Sequence, residues 1–319
     1  MDNKLYVSSS PHFRGSATTR RIMLDVIIAL LPASVAACVI FGARSLILIG
    51  TCVATCILLE YISRKVMKRD TTIGDLSAVV TGLLLALNLP ADINPLIAMF
   101  GCVVAIVVVK QMFGGIGMNF VNPALAARIV LLVSFPSAMM RWVSVPGTPE
   151  TAMIDATTAA TPLSPAALES GCYSYIDLLI GRCGGSIGEV CAAALLLGGV
   201  YLVIRRVISP IIPCVYLATA ALMSFAVGLD PLYQLLSGGL MLGAIFMATD
   251  YTTSPLTKWG KVIFAIGCGV LTILLRRYSN MPEGVSFSII LMNILVPHIE
   301  NLTTPRTLGK VKKAKEAKK

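Results

Sequence analysis

The chain has 319 residues, of which 56% are hydrophobic and only 13% are charged. A soluble domain carries about 25% charged residues, so this composition excludes an ordinary soluble protein and indicates an integral membrane protein. The net charge of +10 does not indicate nucleic-acid binding, because residues 310–319 alone hold six lysines against one glutamate. Such a run beside membrane helices is typical of a cytoplasmic flank.

Ten apolar runs follow one another along the chain, and we predict a transmembrane segment for each. They are residues 22–42, 45–62, 75–89, 95–109, 124–135, 187–204, 211–228, 232–248, 262–275 and 284–296. A span needs about 20 residues, and we take the third, fifth, eighth and tenth runs as the short ones. The predicted regions are an N-terminus (1–21), a first membrane half (22–135), a polar loop (136–186), a second membrane half (187–296) and a basic tail (297–319).

The distribution of lysine and arginine predicts the orientation. Most of these residues fall on the side that holds both termini, so we expect the termini in the cytoplasm and the polar loop outside it. Arg276 and Arg277 go against this bias.

The two halves resemble each other. Residues 75–87 resemble 233–244 and residues 122–132 resemble 281–291, at nearly equal offsets that match Gly82 with Gly239 and Pro123 with Pro282. Five segments per half is an odd number, so the halves would be inverted, a design that places short broken helices at the centre of the protein. We therefore predict an all-α polytopic membrane protein with about ten transmembrane segments in two inverted five-segment repeats. The alternative is that these glycines and prolines are the interruptions common in membrane proteins.

Cysteine and histidine do not predict a metal site. The nine cysteines lie mostly within apolar runs, where cysteine behaves as a small hydrophobic residue. There is no Cys-x-x-Cys pair, and His12 and His298 are far apart, so a zinc or iron–sulfur site built by this chain alone is not expected. Cys172 and Cys183 share the polar loop, and the sequence does not decide whether they pair.

The polar loop contains a hydroxyl-rich stretch of small residues, 155–163. Thr161 is followed by Pro162, which biases it toward an extended conformation, and small neighbours leave its hydroxyl accessible as a phosphoester acceptor. The alternative is a loop whose hydroxyls only cap turns, and residue chemistry alone favours that alternative.

Several longer motifs carry a resemblance to a known family. They are Ser10-Pro11-His12, Thr19–Val26, Gly82–Pro90, Phe113–Pro123, Ala248–Tyr251 and Pro282–Ser286. Across nearly the whole chain the sequence resembles the D subunit of the Rnf electron-transport complex, a family related to the B subunit of the sodium-pumping NADH:quinone reductase.

The resemblance implies a covalent FMN. Members of the family carry FMN through its phosphate on the last threonine of a Ser/Thr-Gly-Ala-Thr motif, which Thr158, Ala159, Ala160 and Thr161 match here, with Ala159 in place of the usual glycine. Thr161 is the expected acceptor, with Thr158 and Ala160 as its motif neighbours. The similar run at residues 15–18 is out of register and is rejected.

The resemblance also implies a riboflavin bound without a covalent bond in the membrane part. We expect its pocket at the ends of the broken helices. The candidates are Thr81, Gly82, Asn88, Asn119, Asn122 and Pro123. For each asparagine the alternative is a helix cap or an interhelical hydrogen bond.

Ionisable residues in or beside apolar runs are functional candidates, because they are costly in lipid. Asp75 and Asp250 are the candidates for ion coupling. Arg128 lies within the fifth run and is expected to hold a flavin phosphate, a carboxylate or a helix end. Asp25 and Glu60 are expected to mark helix ends.

The resemblance thus implies a subunit of an ion-translocating ferredoxin:NAD+ oxidoreductase in a bacterial inner membrane, passing electrons through FMN and riboflavin and coupled to Na+ or H+ movement. There is no Gly-x-Gly-x-x-Gly after a strand and no cysteine cluster, so the chain is not catalytic alone. The implied partners are soluble NAD- and ferredoxin-binding subunits, membrane iron–sulfur subunits and a second FMN-carrying subunit. The alternatives are a quinone-reductase subunit and a secondary transporter, since inverted repeats fit the latter equally well.

Overall fold

The structure is a computed structural model that describes residues 18–143, 158–159, 161–164, 173–189, 191–279 and 284–305. The helices of the first half are α1 (Thr19–Phe41), α2 (Ala43–Val66), α3 (Ser77–Leu87), α4 (Pro95–Val103) and α5 (Pro123–Ser134). A 3-10 turn (Ile73–Asp75) precedes α3, and a π-helical stretch (Val104–Gln111) continues α4.

A connecting region and a second half follow. The connecting region contains α6 (Pro136–Met139), β1 (Trp142–Val143), β2 (Thr158–Ala159) and α7 (Tyr175–Ile180). The second half contains α8 (Ala192–Ile204), α9 (Ile211–Ala226), α10 (Pro231–Leu236), α11 (Leu240–Leu242) with a π-helical continuation (Gly243–Met247), α12 (Lys258–Tyr278) and α13 (Gly284–Thr303). Strands β1 and β2 form a two-stranded antiparallel ladder.

The helices confirm an all-α polytopic membrane protein. Within the described residues, four helices, α1, α2, α12 and α13, are long and apolar enough to cross a membrane, and five apolar stretches are shorter, at 10–17 residues. The prediction of a short tenth segment was wrong, because α13 has 20 residues and continues through Pro297. A membrane helix tolerates an internal proline where its surroundings satisfy the freed backbone group.

The eighth predicted segment is not one helix. Its two helical parts, α10 and α11, are separated at residues 237–239, and Gly238 has a positive φ of 65°. Glycine adopts this conformation without the steric penalty of a Cβ.

The sixth segment begins later than predicted. Helix α8 starts at Ala192, and residues 187–189 instead cover the end of α3. The N–H of Gly188 donates to the Leu87 carbonyl at 2.7 Å, and the N–H of Ile187 donates to the Leu89 carbonyl at 3.0 Å. The broken end of α3 is therefore closed by backbone from the connecting region, which satisfies carbonyls that a helix end otherwise leaves unpaired.

The contacts between helices follow the same plan in both halves. Helix α2 packs on α3 and α4, as α9 packs on α10 and α12. The halves meet through their first helices, α1 and α8, and through their last, α5 and α13. This is the arrangement that a five-segment repeat gives, and the opposite orientation of the halves stays a prediction.

Close approach of backbones holds α1 against α8. A Cβ on Gly198 would lie 2.1 Å from the Ala29 carbonyl oxygen and 3.0 Å from the ring of Phe246. Small residues at such contacts let membrane helices pack tightly. The close contact between the two halves therefore requires a residue without a side chain at position 198.

Candidate functional site

The N-terminal ends of two broken helices, α3 and α5, meet at a cavity of about 370 Å³. Its apolar wall includes Ile22 and Val26 of α1, Leu202 of α8 and Phe246 of the π-helical stretch before Ala248. The polar residues at its wall include Ser77, Thr81, Lys110, Asn119, Asn122, Thr249, Asp250 and Thr252. A mostly apolar pocket of about 300–1,000 Å³ with a few polar groups is typical of a cofactor site.

Asn119 lines this cavity, and the residue is 9% exposed. Its Oδ1 is buried and has no hydrogen-bond partner among the residues that the structure describes. A buried polar atom without a partner costs about 1–3 kcal/mol, so this oxygen fits a ligand that donates a hydrogen bond.

Asn122 has a different task. Its Oδ1 accepts hydrogen bonds from the backbone N–H groups of Ala124 at 3.0 Å and Leu125 at 3.4 Å, which caps α5. Its Nδ2 donates to the Met247 carbonyl at 3.4 Å, which ties α5 to the second half. Asn122 therefore supports the cavity wall through cap and interhelical bonds, the alternative that the sequence left open.

The candidate riboflavin residues do not all lie together. Thr81, Asn119, Asn122 and Pro123 line the cavity. Gly82 faces α2 instead, where an added Cβ would lie 2.9 Å from the Cα of Val53.

Asn88 lies at the opposite end of α3 from the cavity. Its Nδ2 donates to the Leu84 carbonyl at 2.6 Å, and its Oδ1 accepts from Arg128 Nη1 at 2.7 Å. Arg128 is only 3% exposed and also lies near Gly239, where an added Cβ would come within 3.6 Å of its Nη1. Arg128 is thus separated from Asn119 and Asn122.

Both candidates for ion coupling lie at the cavity end of the molecule. Asp250 is at the wall, where Thr252 Oγ1 donates to its Oδ2 at 3.0 Å. Burial raises the pKa of the Asp250 carboxyl, and the hydrogen bonds from Thr252 and Thr253 oppose that shift. Asp75 Oδ1 accepts from the N–H and the hydroxyl of Ser77, at 2.9 and 2.6 Å.

The sequence did not predict the buried ion pair of Glu60. It was expected at a helix end, but its side chain is fully buried within α2 and forms an ion pair with Lys110, Glu60 Oε2 lying 2.9 Å from Lys110 Nζ. Thr72 and Gln111 also donate to Glu60, at 2.7 and 3.1 Å. An acidic residue within the second apolar run and a basic residue at the end of the fourth were the signal for this pair, but only the fold shows their contact.

Thr161 lies at the other end of α3, on a segment that is fixed by its neighbours. Its side chain is partly exposed, whereas Pro162 and Leu163 are buried. Tyr233 donates its hydroxyl to the Pro162 carbonyl at 2.8 Å, and the N–H of Ser164 donates to the Thr161 carbonyl at 2.9 Å. The backbone is anchored while the residue stays partly exposed, as an acceptor for a covalent group requires.

The other motif positions are described only in part. The backbone of Thr158 pairs with Val143, and that of Ala159 with Trp142, in the β1–β2 ladder. Ala160 lies outside the described residues. Cys172 does too, whereas Cys183 is buried as a free thiol. Of the rejected run at residues 15–18, Thr18 is described, and its hydroxyl caps the N-terminus of α1.

Arg276 reaches the neighbourhood of Thr161. Its Nη1 donates to the Gln234 carbonyl at 2.6 Å and its Nη2 to the Ser237 carbonyl at 3.0 Å, at the C-terminal end of α10. An added Cβ on Gly238 would lie 2.6 Å from Leu163 Cδ1 and 2.7 Å from Arg276 Nη2. The arginine that went against the charge bias is therefore half-buried and caps a broken helix.

Thr161 and the cavity are at opposite ends of α3. This helix has 11 residues, or about 16 Å at 1.5 Å per residue. The sequence left open whether Arg128 holds a flavin phosphate, a carboxylate or a helix end; in the structure it donates to Asn88, at the end of α3 away from the cavity.

The chain is similar to known proteins over nearly its whole length. A family model described as the NQR2, RnfD, RnfE family matches residues 6–309. A protein from Acetobacterium woodii, named as the D subunit of a Na(+)-translocating ferredoxin:NAD(+) oxidoreductase complex, is 49% identical over 318 residues, covering 98% of each chain. A protein from Clostridium ljungdahlii, named as the D subunit of a proton-translocating ferredoxin:NAD(+) oxidoreductase complex, is 39% identical and covers 96% of this chain and 97% of its own.

A third relative is less similar but still matches most of the chain. The D subunit of the ion-translocating oxidoreductase complex of Stutzerimonas stutzeri is 37% identical, covering 91% of this chain and 92% of its own. With the family model matching nearly the whole chain, these similarities show that the chain belongs to the NQR2, RnfD, RnfE family.

Proposed function

We propose that this chain is the flavin-carrying membrane subunit of an ion-translocating ferredoxin:NAD+ oxidoreductase complex of a bacterial inner membrane. The observation that carries the proposal is the similarity over nearly the whole chain to the D subunits of such complexes. Two of these relatives differ in the ion that they are named for, so the proposal covers Na+ or H+. Soluble NAD- and ferredoxin-binding subunits, iron–sulfur membrane subunits and a second FMN-carrying subunit are its proposed partners.

Thr161 is the proposed attachment site of FMN. Two features support it: Thr161 is partly exposed, and the buried Pro162 and Leu163 anchor the segment. The guanidinium of Arg276, held beside Leu163, supplies a positive charge to a phosphodiester at this position. Thr161 would bear the group, and the rest of the segment would orient it.

The cavity is the proposed site of riboflavin. Its apolar walls suit a flat aromatic ring, and the partnerless Asn119 Oδ1 suits a ring N–H or a ribityl hydroxyl. The N-terminal ends of α3 and α5 add a positive potential there. The bound flavins supply the redox chemistry, and this chain binds, orients and electrostatically stabilises them.

Acid precipitation of the purified complex tests both assignments, because covalent flavin stays with the protein and non-covalent flavin enters the supernatant. We expect riboflavin in the supernatant and flavin fluorescence on the denatured band of this chain. The Thr161→Ala variant should lose the band fluorescence, and the Thr158→Ala variant should keep it. A wild-type complex without riboflavin in the supernatant would contradict the cavity assignment.

The function itself is tested in inverted membrane vesicles that contain the complex. Reduced ferredoxin and NAD+ should drive uptake of 22Na+ or acidification of the lumen. The Thr161→Ala vesicles should lose NAD+ reduction and ion uptake together. Unchanged electron transfer and ion uptake in that variant would show that the FMN of this chain is not part of the electron-transfer pathway.

A further inference from the structure

A buried hydrogen-bonded chain of side chains ends at the cavity. Lys110 Nζ donates to Ser77 Oγ at 2.6 Å and to Glu60 Oε2 at 2.9 Å. Lys110 and Ser77 both line the cavity, so the ammonium group lies at its wall. The side chain of Lys110 is 2% exposed and that of Glu60 is 0% exposed.

Burial of this pair is costly. Replacing a buried ion pair by apolar residues is often neutral or stabilising, whereas removing one partner alone is strongly destabilising. In the second half, a buried polar cluster where α9, α12 and α13 meet is held without charges. There the hydroxyls of Tyr216 and Thr272 lie 2.7 Å apart, and those of Thr272 and Ser288 also lie 2.7 Å apart.

Lys110 has a donor left for a ligand. An ammonium group carries three N–H donors, and among the described residues two of them have partners, Glu60 and Ser77. Glu60 is held in turn by Thr72 and Gln111. The ammonium is therefore fixed in place with one N–H direction remaining.

The other charged groups around Lys110 are engaged elsewhere or lie farther along the wall. Asp75 bonds to Ser77, and Asp250 bonds to Thr252 on the cavity wall. Arg69 donates to the Gln111 carbonyl at 3.5 Å, and Arg64 lies against Gly115. Lys110 is thus the cation whose charge the cavity ligand meets at the N-terminal end of α3.

We propose that Lys110 is the ligand-facing cation of this cavity and stabilises the reduced, anionic form of the flavin ring, with Glu60 and Ser77 as its positioning residues. The inference rests on the proposed function. Reduction by two electrons from the other redox carriers of the complex and one proton from water leaves the ring with one more negative charge. Lys110 keeps its proton, and its charge favours that state.

Two variants should shift the midpoint potential of the cavity flavin in opposite directions. Glu60→Gln keeps the cation but removes the anion beside it, so the midpoint potential of the cavity flavin should rise. Glu60→Gln combined with Lys110→Met removes both charges and the ligand bond, so the potential should fall and riboflavin should bind about 10- to 100-fold more weakly. The double variant also avoids leaving a lone buried charge.

The measurement is an optical redox titration of the full complex with excess riboflavin present. Flavin components that keep their potential in all variants belong to other sites. Tyr216→Phe is the matched control, because it breaks a buried polar cluster away from the cavity, and it should shift nothing. Lys110→Arg keeps the charge and should stay near the wild-type potential.

Riboflavin content and midpoint potential together distinguish failure of the proposed function from failure of the role of Lys110. A wild-type complex without acid-extractable riboflavin contradicts the proposed function. A normal riboflavin content with shifts of the same sign in Glu60→Gln and in the double variant, or with no shift in either, overturns the role of Lys110. A merely structural role would move riboflavin content without opposite changes in potential.

Discussion

The seam between the halves can be tested at Gly198 by substitution with alanine. The added Cβ would lie 2.1 Å from the Ala29 carbonyl oxygen, whereas ordinary van der Waals contact begins at 3.4 Å, a shortfall of 1.3 Å. The nearest atom belongs to backbone, which cannot rotate away, so α1 and α8 must separate. Overpacking of this kind costs about 1–3 kcal/mol.

The same change should disturb the cavity. Ile22 and Val26 on α1, Leu202 on α8 and the Phe246 ring that the new Cβ approaches at 3.0 Å all line it. We expect the melting temperature of the purified complex to fall by roughly 2–8 °C, with less acid-extractable riboflavin and unchanged covalent flavin.

Gly50→Ala is the matched control for this experiment. Gly50 is also a helical glycine, but nothing lies within 4 Å of its added Cβ, so alanine there should be neutral or stabilise by about 1 kcal/mol. Thermal unfolding by tryptophan fluorescence and flavin content after acid precipitation measure both variants. If Gly198→Ala matches Gly50→Ala in both readouts, the close contact of α1 and α8 is refuted.

Three further predictions concern single positions. Arg276→Met leaves the Gln234 and Ser237 carbonyls without their donor and should destabilise by about 1–3 kcal/mol; Arg277→Met, on an exposed neighbour, should not, and equal melting temperatures would contradict the cap. Asp250→Asn should keep both flavins but reduce ion uptake. Because burial raises the pKa of Asp250, wild-type uptake should begin to fall, as the pH is lowered, at a pH above the ordinary range for aspartate. The Asp250→Asn variant should lack this pH dependence. Ser164→Cys should react with impermeant maleimide in intact cells beyond the labelling of the wild-type chain; labelling only in inverted vesicles would overturn the predicted orientation.

The sequence predicted the helical architecture well because hydrophobic runs determine membrane helices almost directly. The run that forms α3 was correctly taken as short, and the helix ends before Pro90. The break at Gly238 and Gly239 was missed, because residues 232–248 were predicted as one segment. The end of α13 was also missed: the predicted run stopped at residue 296, whereas the helix continues through Pro297 to Thr303.

The polar interior was harder to predict, because contacts between distant segments decide it. Asn88 and Asn119 were indistinguishable by residue type, yet Asn88 binds Arg128, whereas Asn119 lines the cavity and has a buried oxygen without a partner among the described residues. Glu60 and Lys110 are 50 positions apart, and only the packing of α2 against the stretch after α4 joins them.

The charge bias had a similar limit. It is counted over loops and helix ends, and it cannot tell a lipid-facing flank from an arginine turned inward. Arg276 was therefore counted against the orientation, although it binds the carbonyl end of α10 within the protein.

The central claim is that Thr161 of this chain carries FMN, and peptide mass spectrometry tests it most directly. The chain would be purified with its complex from cells that make the flavin transferase, digested, and the peptide containing residues 158–164 fragmented. We predict a mass increase equal to FMN minus water, localised to Thr161. An unmodified Thr161, or the same mass on Thr158, would contradict the account.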